Sequence, residues 1–149
     1  MKFSENNKLL KILVAEDNHV DQHIIVQEMK ENNMLNEIFI VDDGVEAMEF
    51  LQRVGKYADP EISPKPDIVL LDIKMPRMDG KEVLQQIKRE PLLKSIPIII
   101  VTTSDYEKHI IESYKLDVKG YISKPFAFNQ FMDAVIDLKC FGLCLVKLP

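Results

Sequence analysis

Apolar residues along this chain follow two patterns: short continuous runs, and longer segments in which they recur at helical spacing. The first run, 11–15, precedes a polar segment in which Val20, Ile24, Ile25 and Met29 recur at helical spacing. Continuous runs are typical of strands buried on both faces, and the wider spacing is typical of amphipathic helices. The pattern therefore predicts a strand followed by a helix.

This pairing recurs along the rest of the chain. Later apolar runs lie at 38–41, 68–71, 98–101 and 121–122, each followed by a segment of helical periodicity. Five strands alternating with about five helices predict an α/β fold with a doubly wound, five-stranded parallel sheet. The segment 55–66 contains three prolines and one glycine, and we expect it to be a connecting loop.

Length and composition narrow the class of protein. A chain of 149 residues suits one domain, here 1–149, with a core at about 9–139 and an apolar C-terminal helix or tail at about 128–149. The net charge of −5 argues against binding to nucleic acid, because such surfaces are usually basic. The N-terminus lacks a signal-peptide pattern and no apolar run is long enough to span a membrane, so we expect a cytoplasmic protein.

Polar residues end four of the predicted strands. Glu16 and Asp17 follow the first run, Asp72 follows the third, Thr102 the fourth and Lys124 the fifth. The carboxyl ends of parallel strands form one edge of the sheet, where ligands bind, so we expect these side chains to meet there. Carboxylates bind hard cations, one carboxylate can attack phosphorus, and a hydroxyl and an ammonium can bind phosphoryl oxygens. The set predicts a Mg²⁺-assisted aspartyl phosphorylation site with Asp72 as nucleophile.

Each of these residues also has a simpler interpretation. An acidic pair after a strand is often a turn or a helix N-cap, and a single Lys-Pro pair carries little information. Thr102 could cap the following helix, although Ser104 or Asp105 could do so instead. The phosphorylation hypothesis rests on the combination rather than on any one position.

The combination resembles a response-regulator receiver domain. The resemblance covers nearly the whole chain and rests on Glu16-Asp17, on the segment 71–80, on Val101-Thr102 and on Lys124-Pro125, together with their spacing. It implies the flavodoxin-like form of the doubly wound sheet. It also implies a signalling domain that catalyses only its own phosphorylation and dephosphorylation.

The resemblance assigns roles to individual positions. Asp72 would be the phosphoacceptor, becoming 4-aspartylphosphate, and a metal ligand with Glu16, Asp17 and the main-chain carbonyl of Lys74. The cation would be Mg²⁺, with Mn²⁺ as a substitute. Thr102 and Lys124 would bind the phosphoryl group. On phosphorylation Thr102 would move toward it and Tyr121 would turn inward, although Tyr121 could equally be a packing residue.

Some features resemble a narrower group, the single-domain regulators that partner bacterial phytochrome histidine kinases. These are the Pro-rich insert before the third strand, the run 102–104 and the ending 141–149. The implied partners are a sensor histidine kinase of the phytochrome type and a downstream protein that the sequence does not identify. We expect the buried face of the last helix to consist of Phe128, Phe131, Met132, Val135, Ile136 and Leu138. The later apolar residues exceed what one face needs, and we expect a C2 homodimer through this tail, unless the tail folds back on its own domain.

Two other functions fit part of the pattern. A degenerate receiver would bind partners without being phosphorylated, although the complete set of acids, Thr102 and Lys124 disfavours this. A phosphatase of the haloacid dehalogenase type also uses a strand-end Asp, Mg²⁺, a hydroxyl and a Lys. That family needs a second Asp two residues after the nucleophile, and this chain has Lys74 there.

Overall fold

The computed structural model describes residues 9–34 and 36–136. Five strands alternate with five α-helices, as the hydrophobic pattern predicts. The strands are β1 Leu10–Ala15, β2 Asn36–Val41, β3 Ile68–Asp72, β4 Ile98–Thr102 and β5 Gly120–Ser123. The helices are α1 His19–Glu31, α2 Gly44–Gln52, α3 Gly80–Arg89, α4 Asp105–Ser113 and α5 Phe128–Val135.

All strand pairs in the sheet are parallel, and the order is β2-β1-β3-β4-β5. The chain moves outward from β1 in one direction and then returns to continue in the other. This is the flavodoxin-like, doubly wound arrangement predicted from the sequence. It places β3 in the middle of the sheet, between β1 and β4, where its end is flanked on both sides.

Two apolar clusters cover the two faces of the sheet. Leu13, Val69 and Ile100 face the cluster that includes residues of α2, α3 and α4. Ile12, Leu70, Ile99 and Ile122 face the cluster that includes residues of α1 and α5. Side chains alternate between faces along each strand, so burial on both sides explains why the strands read as continuous apolar runs.

Helix starts are fixed by short polar side chains. Asn18, Asp43, Asp79 and Ser104 each accept a hydrogen bond from the backbone N–H three residues later. Ser104 is therefore the N-cap of α4, which resolves the alternatives left open for Thr102 and Asp105. The segment 55–66 contains only a short 3₁₀ helix, Gly55–Tyr57, and otherwise connects α2 to β3 as predicted.

Two expectations about helix packing are wrong. Val20 is 67% exposed because it lies in the first turn of α1, on the side away from Ile25 and Met29. Ile136 is 62% exposed because α5 ends at Val135, and the next residue points away from the face that buries Phe131 and Val135. The C-terminal tail at 137–149, and with it the predicted dimer contact, lies outside the described residues.

Candidate functional site

An ammonium group joins three carboxylates at the carboxyl edge of the sheet. Lys124 Nζ lies 2.7 Å from Glu16 Oε1, 3.2 Å from Asp21 Oδ2 and 3.3 Å from Asp72 Oδ2. The side chains of Glu16, Asp72 and Lys124 are only 2%, 6% and 11% exposed. Strand pairing explains the meeting, because β1 and β3 are adjacent and the Lys124 N–H, just after β5, donates to Thr102 O at the end of β4, the neighbour of β3.

The cluster changes the acidity of its members. Burial, and then the negative charge of Glu16, raise the pKa of Asp72 to about 7, which the Lys124 ammonium only partly offsets. Burial alone would lower the pKa of Lys124, but its contacts with Glu16 and Asp72 outweigh burial and raise that pKa above its usual value. Lys124 is therefore a fixed positive charge, whereas Asp72 without a bound cation is poised between its two protonation states.

The acidic residues have the chemistry of a hard-cation site. One carboxylate oxygen from each of Glu16, Asp17 and Asp72 can be chosen so that all three lie within 4.8 Å of one another. Within the described ranges, Glu16 Oε1 is the one buried side-chain oxygen without a hydrogen-bond partner, its contact with Lys124 being an ion pair. Carboxylate oxygens that converge with spare acceptor capacity suit Mg²⁺ or Mn²⁺.

The loop after Asp72 is held close to the strand that carries it. Gly80 N–H donates to Ile73 O at 2.8 Å, and a Cβ on Gly80 would overlap the carbonyl oxygen of Asp72. Only glycine permits this approach. The first turn of α3 thereby fixes the backbone at Asp72, while Asp17 and the side chain of Lys74 remain exposed at the rim.

Thr102 belongs to a second group of polar side chains on the other side of β3. Its hydroxyl donates to Glu107 Oε2 at 3.1 Å and accepts the Ser104 N–H at 3.4 Å. Glu107 is buried, with its side chain 5% exposed, and its other oxygen accepts a hydrogen bond from Thr103 Oγ1 at 3.4 Å. Lys74 Nζ lies 3.6 Å from the same oxygen. In this structure the Thr102 hydroxyl is thus bonded to Glu107.

Tyr121 lies on β5 and is half-buried against the cluster that includes α2, α3 and α4. Lys108 Nζ lies 5.2 Å from the centre of its ring. Burial, and then the charge of Glu112, raise the pKa of the Tyr121 hydroxyl. The ring lies partly inward in this structure, in contact with α4.

Two of these residues escape prediction from the sequence. Asp21 reaches Lys124 from the first turn of α1, and Glu107 reaches Thr102 from the first turn of α4. Both are acids on a helix that begins just after a strand-end site residue, and this position is the one signal that could have indicated them. Ordinary helix N-termini carry acids too, so the signal is weak.

The fold and the rim of acids, hydroxyl and lysine define a class of signalling protein. The family model described as "Response regulator receiver domain" matches residues 12–136. The chain belongs to this family.

The similar proteins include several phytochrome response regulators. Response regulator Rcp1 of Synechocystis sp. is 39% identical over 145 residues, covering 97% of each chain, and the structure of its Mn²⁺-bound form superposes with a TM-score of 0.70 over 93% of this chain and 98% of that one. The phosphorylated cyanobacterial phytochrome response regulator RcpA is 37% identical, with a TM-score of 0.73 and coverage of 95% and 99%. The bacteriophytochrome response regulator AtBRR is 36% identical, with a TM-score of 0.85 and coverage of 94% and 99%.

Among the helices at 9–34 and 36–136, none combines the length and hydrophobicity that crossing a bilayer requires.

Proposed function

We propose that this chain is a response regulator in which Asp72 accepts a phosphoryl group from a sensor histidine kinase and transmits the change through protein contacts. The observation that carries the proposal is the contact of one buried lysine with Glu16 and Asp72 at the carboxyl edge of β1 and β3. A buried carboxylate beside an ammonium and further acids is suited to gain and lose a charged group reversibly.

The transfer is an in-line displacement at phosphorus. An oxygen of the ionised Asp72 carboxylate attacks, a P–O bond forms, and the P–N bond to the kinase histidine breaks with its electron pair passing to the imidazole nitrogen. In the hydrolytic stage, water attacks the phosphorus atom of the aspartyl phosphate and the P–O bond to the Asp72 carboxylate breaks. This releases inorganic phosphate and restores the carboxylate.

The other residues stabilise and orient the groups in this step. Lys124 supplies a permanent positive charge for the phosphoryl oxygens, and Thr102 supplies a hydroxyl that can donate to one of them. Glu16, Asp17, Asp72 and the main-chain carbonyl of Lys74 would hold the divalent cation. When bound, the cation neutralises negative charge between the carboxylate and the phosphoryl group.

The named relatives support the finer assignments. RcpA is described as phosphorylated and as a phytochrome response regulator, and Rcp1 has been crystallised with Mn²⁺. By similarity, we assign this chain a phytochrome-type histidine kinase as its phosphoryl donor and Mg²⁺ or Mn²⁺ as its cation. Phosphotransfer from purified histidine kinases of the host would test the donor, since the cognate kinase should transfer much faster than the others.

The phosphoacceptor is tested by incubation with acetyl phosphate and Mg²⁺. We expect the wild-type protein to gain one phosphoryl group that is lost in base, as an acyl phosphate is. The Asp72→Asn variant should gain none, because an amide is a poor nucleophile toward phosphorus. The matched control is Asp79→Asn, which removes a carboxylate of the same loop but leaves Asp72 intact.

The same assay separates the other functions. A phosphatase would release phosphate continuously in large excess over protein, and a degenerate receiver would gain no label. An unlabelled wild-type protein at millimolar Mg²⁺ would contradict the proposal.

A further inference from the structure

Glu107 is a buried carboxylate with no part in binding the cation or the phosphoryl group as assigned above. It lies in the first turn of α4, and its best hydrogen bond comes from the Thr102 hydroxyl at 3.1 Å. Its other oxygen accepts a hydrogen bond from Thr103 Oγ1 at 3.4 Å and forms an ion pair with Lys74 Nζ at 3.6 Å. The Lys74 side chain is 79% exposed, so its ion pair contributes little, and the hydroxyl of Thr102 is the main buried donor.

The simplest alternative role for Glu107 is to cap its own helix. Ser104 and Glu107 have the spacing of a capping box, in which the third residue's carboxylate accepts the backbone N–H of the N-cap. Here only half of that box is formed. The Glu107 N–H donates to Ser104 Oγ at 3.2 Å, but the Ser104 N–H donates to Thr102 Oγ1 at 3.4 Å. The Thr102 hydroxyl accepts the Ser104 N–H and donates to Glu107, so the carboxylate bonds to Thr102 and not to the backbone of the N-cap.

A threonine hydroxyl has one proton and donates one strong hydrogen bond. It cannot donate to Glu107 and to a phosphoryl oxygen at the same time. Resting on the proposed function, we infer that Glu107 is a positioning residue that holds the Thr102 hydroxyl in the unphosphorylated state and competes with the phosphoryl group for it. The strength of this bond then sets how readily the phosphorylated arrangement forms.

Release of Thr102 leaves the buried carboxylate with weaker donors, namely Thr103, Lys74 and the Ser104 N–H that Thr102 no longer accepts. The free-energy cost of releasing the Thr102 hydroxyl is therefore smaller than the full free energy of a hydrogen bond to a charged group. We expect removal of the carboxylate to strengthen binding of a phosphoryl analogue by roughly three- to tenfold.

The test is calorimetric titration with beryllium fluoride at saturating Mg²⁺. Glu107→Met keeps the length of the side chain without its acceptor, and it should raise the affinity by this factor. Glu107→Gln keeps an acceptor but not the charge, and it should give a smaller gain in affinity in the same direction. It replaces the methionine variant in the test if that variant folds poorly. Glu112→Gln, an exposed acid of the same helix, is the matched control and should bind like the wild type.

If Glu107 had a purely structural role, its replacement would change the affinity for beryllium fluoride whether or not the hydroxyl of Thr102 is present. We therefore compare the proteins with and without Glu107→Met in a Thr102→Val background, where Glu107→Met should give no gain in affinity. An equal gain in that background, or no gain in the wild-type background, would overturn this inference while leaving the proposed function intact. A wild-type protein that binds no beryllium fluoride, or an Asp72→Asn variant that binds it equally well, would overturn the proposed function as well.

Discussion

Two buried glutamates flank the strand that carries Asp72, and their surroundings differ. Glu16 lies 2.7 Å from the ammonium of Lys124 and shares it with Asp21 and Asp72. Glu107, on the opposite side, is bound mainly by threonine hydroxyls. One side of the site is held by buried charges and the other by neutral donors.

The alternation of side chains along the strands explains this division. Glu16, Asp72 and Lys124 continue the series of strand positions that face α1 and α5, whereas Thr102 continues the series that faces α4. Separating buried opposite charges costs more than moving the hydrogen bond of one neutral hydroxyl from one anionic acceptor to another. We therefore expect the Lys124 side to stay in place during signalling and the Thr102 side to rearrange.

Removal of the shared cation should have the largest effect. Lys124→Met leaves three carboxylates without their counter-charge, and it should lower the free energy of unfolding by about 4 kcal/mol at pH 7.5 without divalent cations. Labelling by acetyl phosphate should also fall steeply. Urea denaturation measures the first effect, and Lys119→Met, an exposed lysine just before β5, is the control. A loss no greater than that of the control would show that the charge cluster does not hold this side.

The raised pKa of Asp72 makes stability depend on pH. Its folded pKa of about 7 exceeds the unfolded value near 3.8, so the folded protein binds the proton more tightly and loses stability as pH rises between these values. Asp72→Asn removes this loss and should be more stable than the wild type by up to about 4 kcal/mol above pH 7 in chelator. The difference should shrink toward pH 4. A constant difference across this range would contradict the shifted pKa.

Saturating Mg²⁺ offers a control on the same measurement. A bound cation favours the ionised carboxylate, so Mg²⁺ should raise the free energy of unfolding of the wild type. The increase should be smaller for Asp72→Asn.

On the Thr102 side the effects should be smaller. Thr102→Val removes the best donor to Glu107 and should cost about 1.5 kcal/mol of unfolding free energy, because a buried carboxylate loses a hydrogen bond. Thr102→Ser keeps the hydroxyl and should cost less. Urea denaturation of the two variants makes the comparison. A larger loss for Thr102→Ser, which lacks the γ-methyl, than for Thr102→Val would mean that packing of the methyl group, rather than the hydrogen bond, stabilises this side.

Asp21 should contribute least. It is 26% exposed and shares Lys124 with two more deeply buried acids, so Asp21→Asn should change stability by about 0.5 kcal/mol or less. Glu28→Gln is an informative comparison on the same helix, since Glu28 accepts the Phe128 N–H at 2.9 Å and thereby links α1 to α5. A loss above 2 kcal/mol for Asp21→Asn would assign Asp21 a larger share of the charge cluster than the geometry gives it.

The sequence predicts the strand-end residues well because they depend on topology. Once five apolar runs are recognised as parallel strands, Glu16, Asp72, Thr102 and Lys124 must lie at one edge, whatever the details of the loops. The contacts of Asp21 and Glu107 depend instead on the direction in which α1 and α4 leave the sheet. That direction is fixed by caps and loop hydrogen bonds between residues distant in the chain, and a periodicity of apolar residues carries no information about it.

Exposure at helix ends was also hard to predict, for a related reason. Val20 and Ile136 fit an apolar stripe by spacing, but both lie in or just past a terminal turn, where the neighbouring elements no longer cover the helix. Helix periodicity predicts which face is buried. It does not predict how far along the helix that face is covered.

Chemical mapping of the phosphorylated residue is the decisive test of Asp72 as the phosphoacceptor. Acyl phosphates are reduced by borohydride, which converts a phosphorylated aspartate to homoserine that is identified by mass spectrometry of peptides. After treatment with acetyl phosphate and Mg²⁺, we predict homoserine at position 72 of the wild-type protein and at no other acid of the rim. Homoserine at Asp17 or Asp21, the corresponding longer alcohol at Glu16, or no reduced residue in a folded protein that has bound Mg²⁺, would contradict the assignment of Asp72.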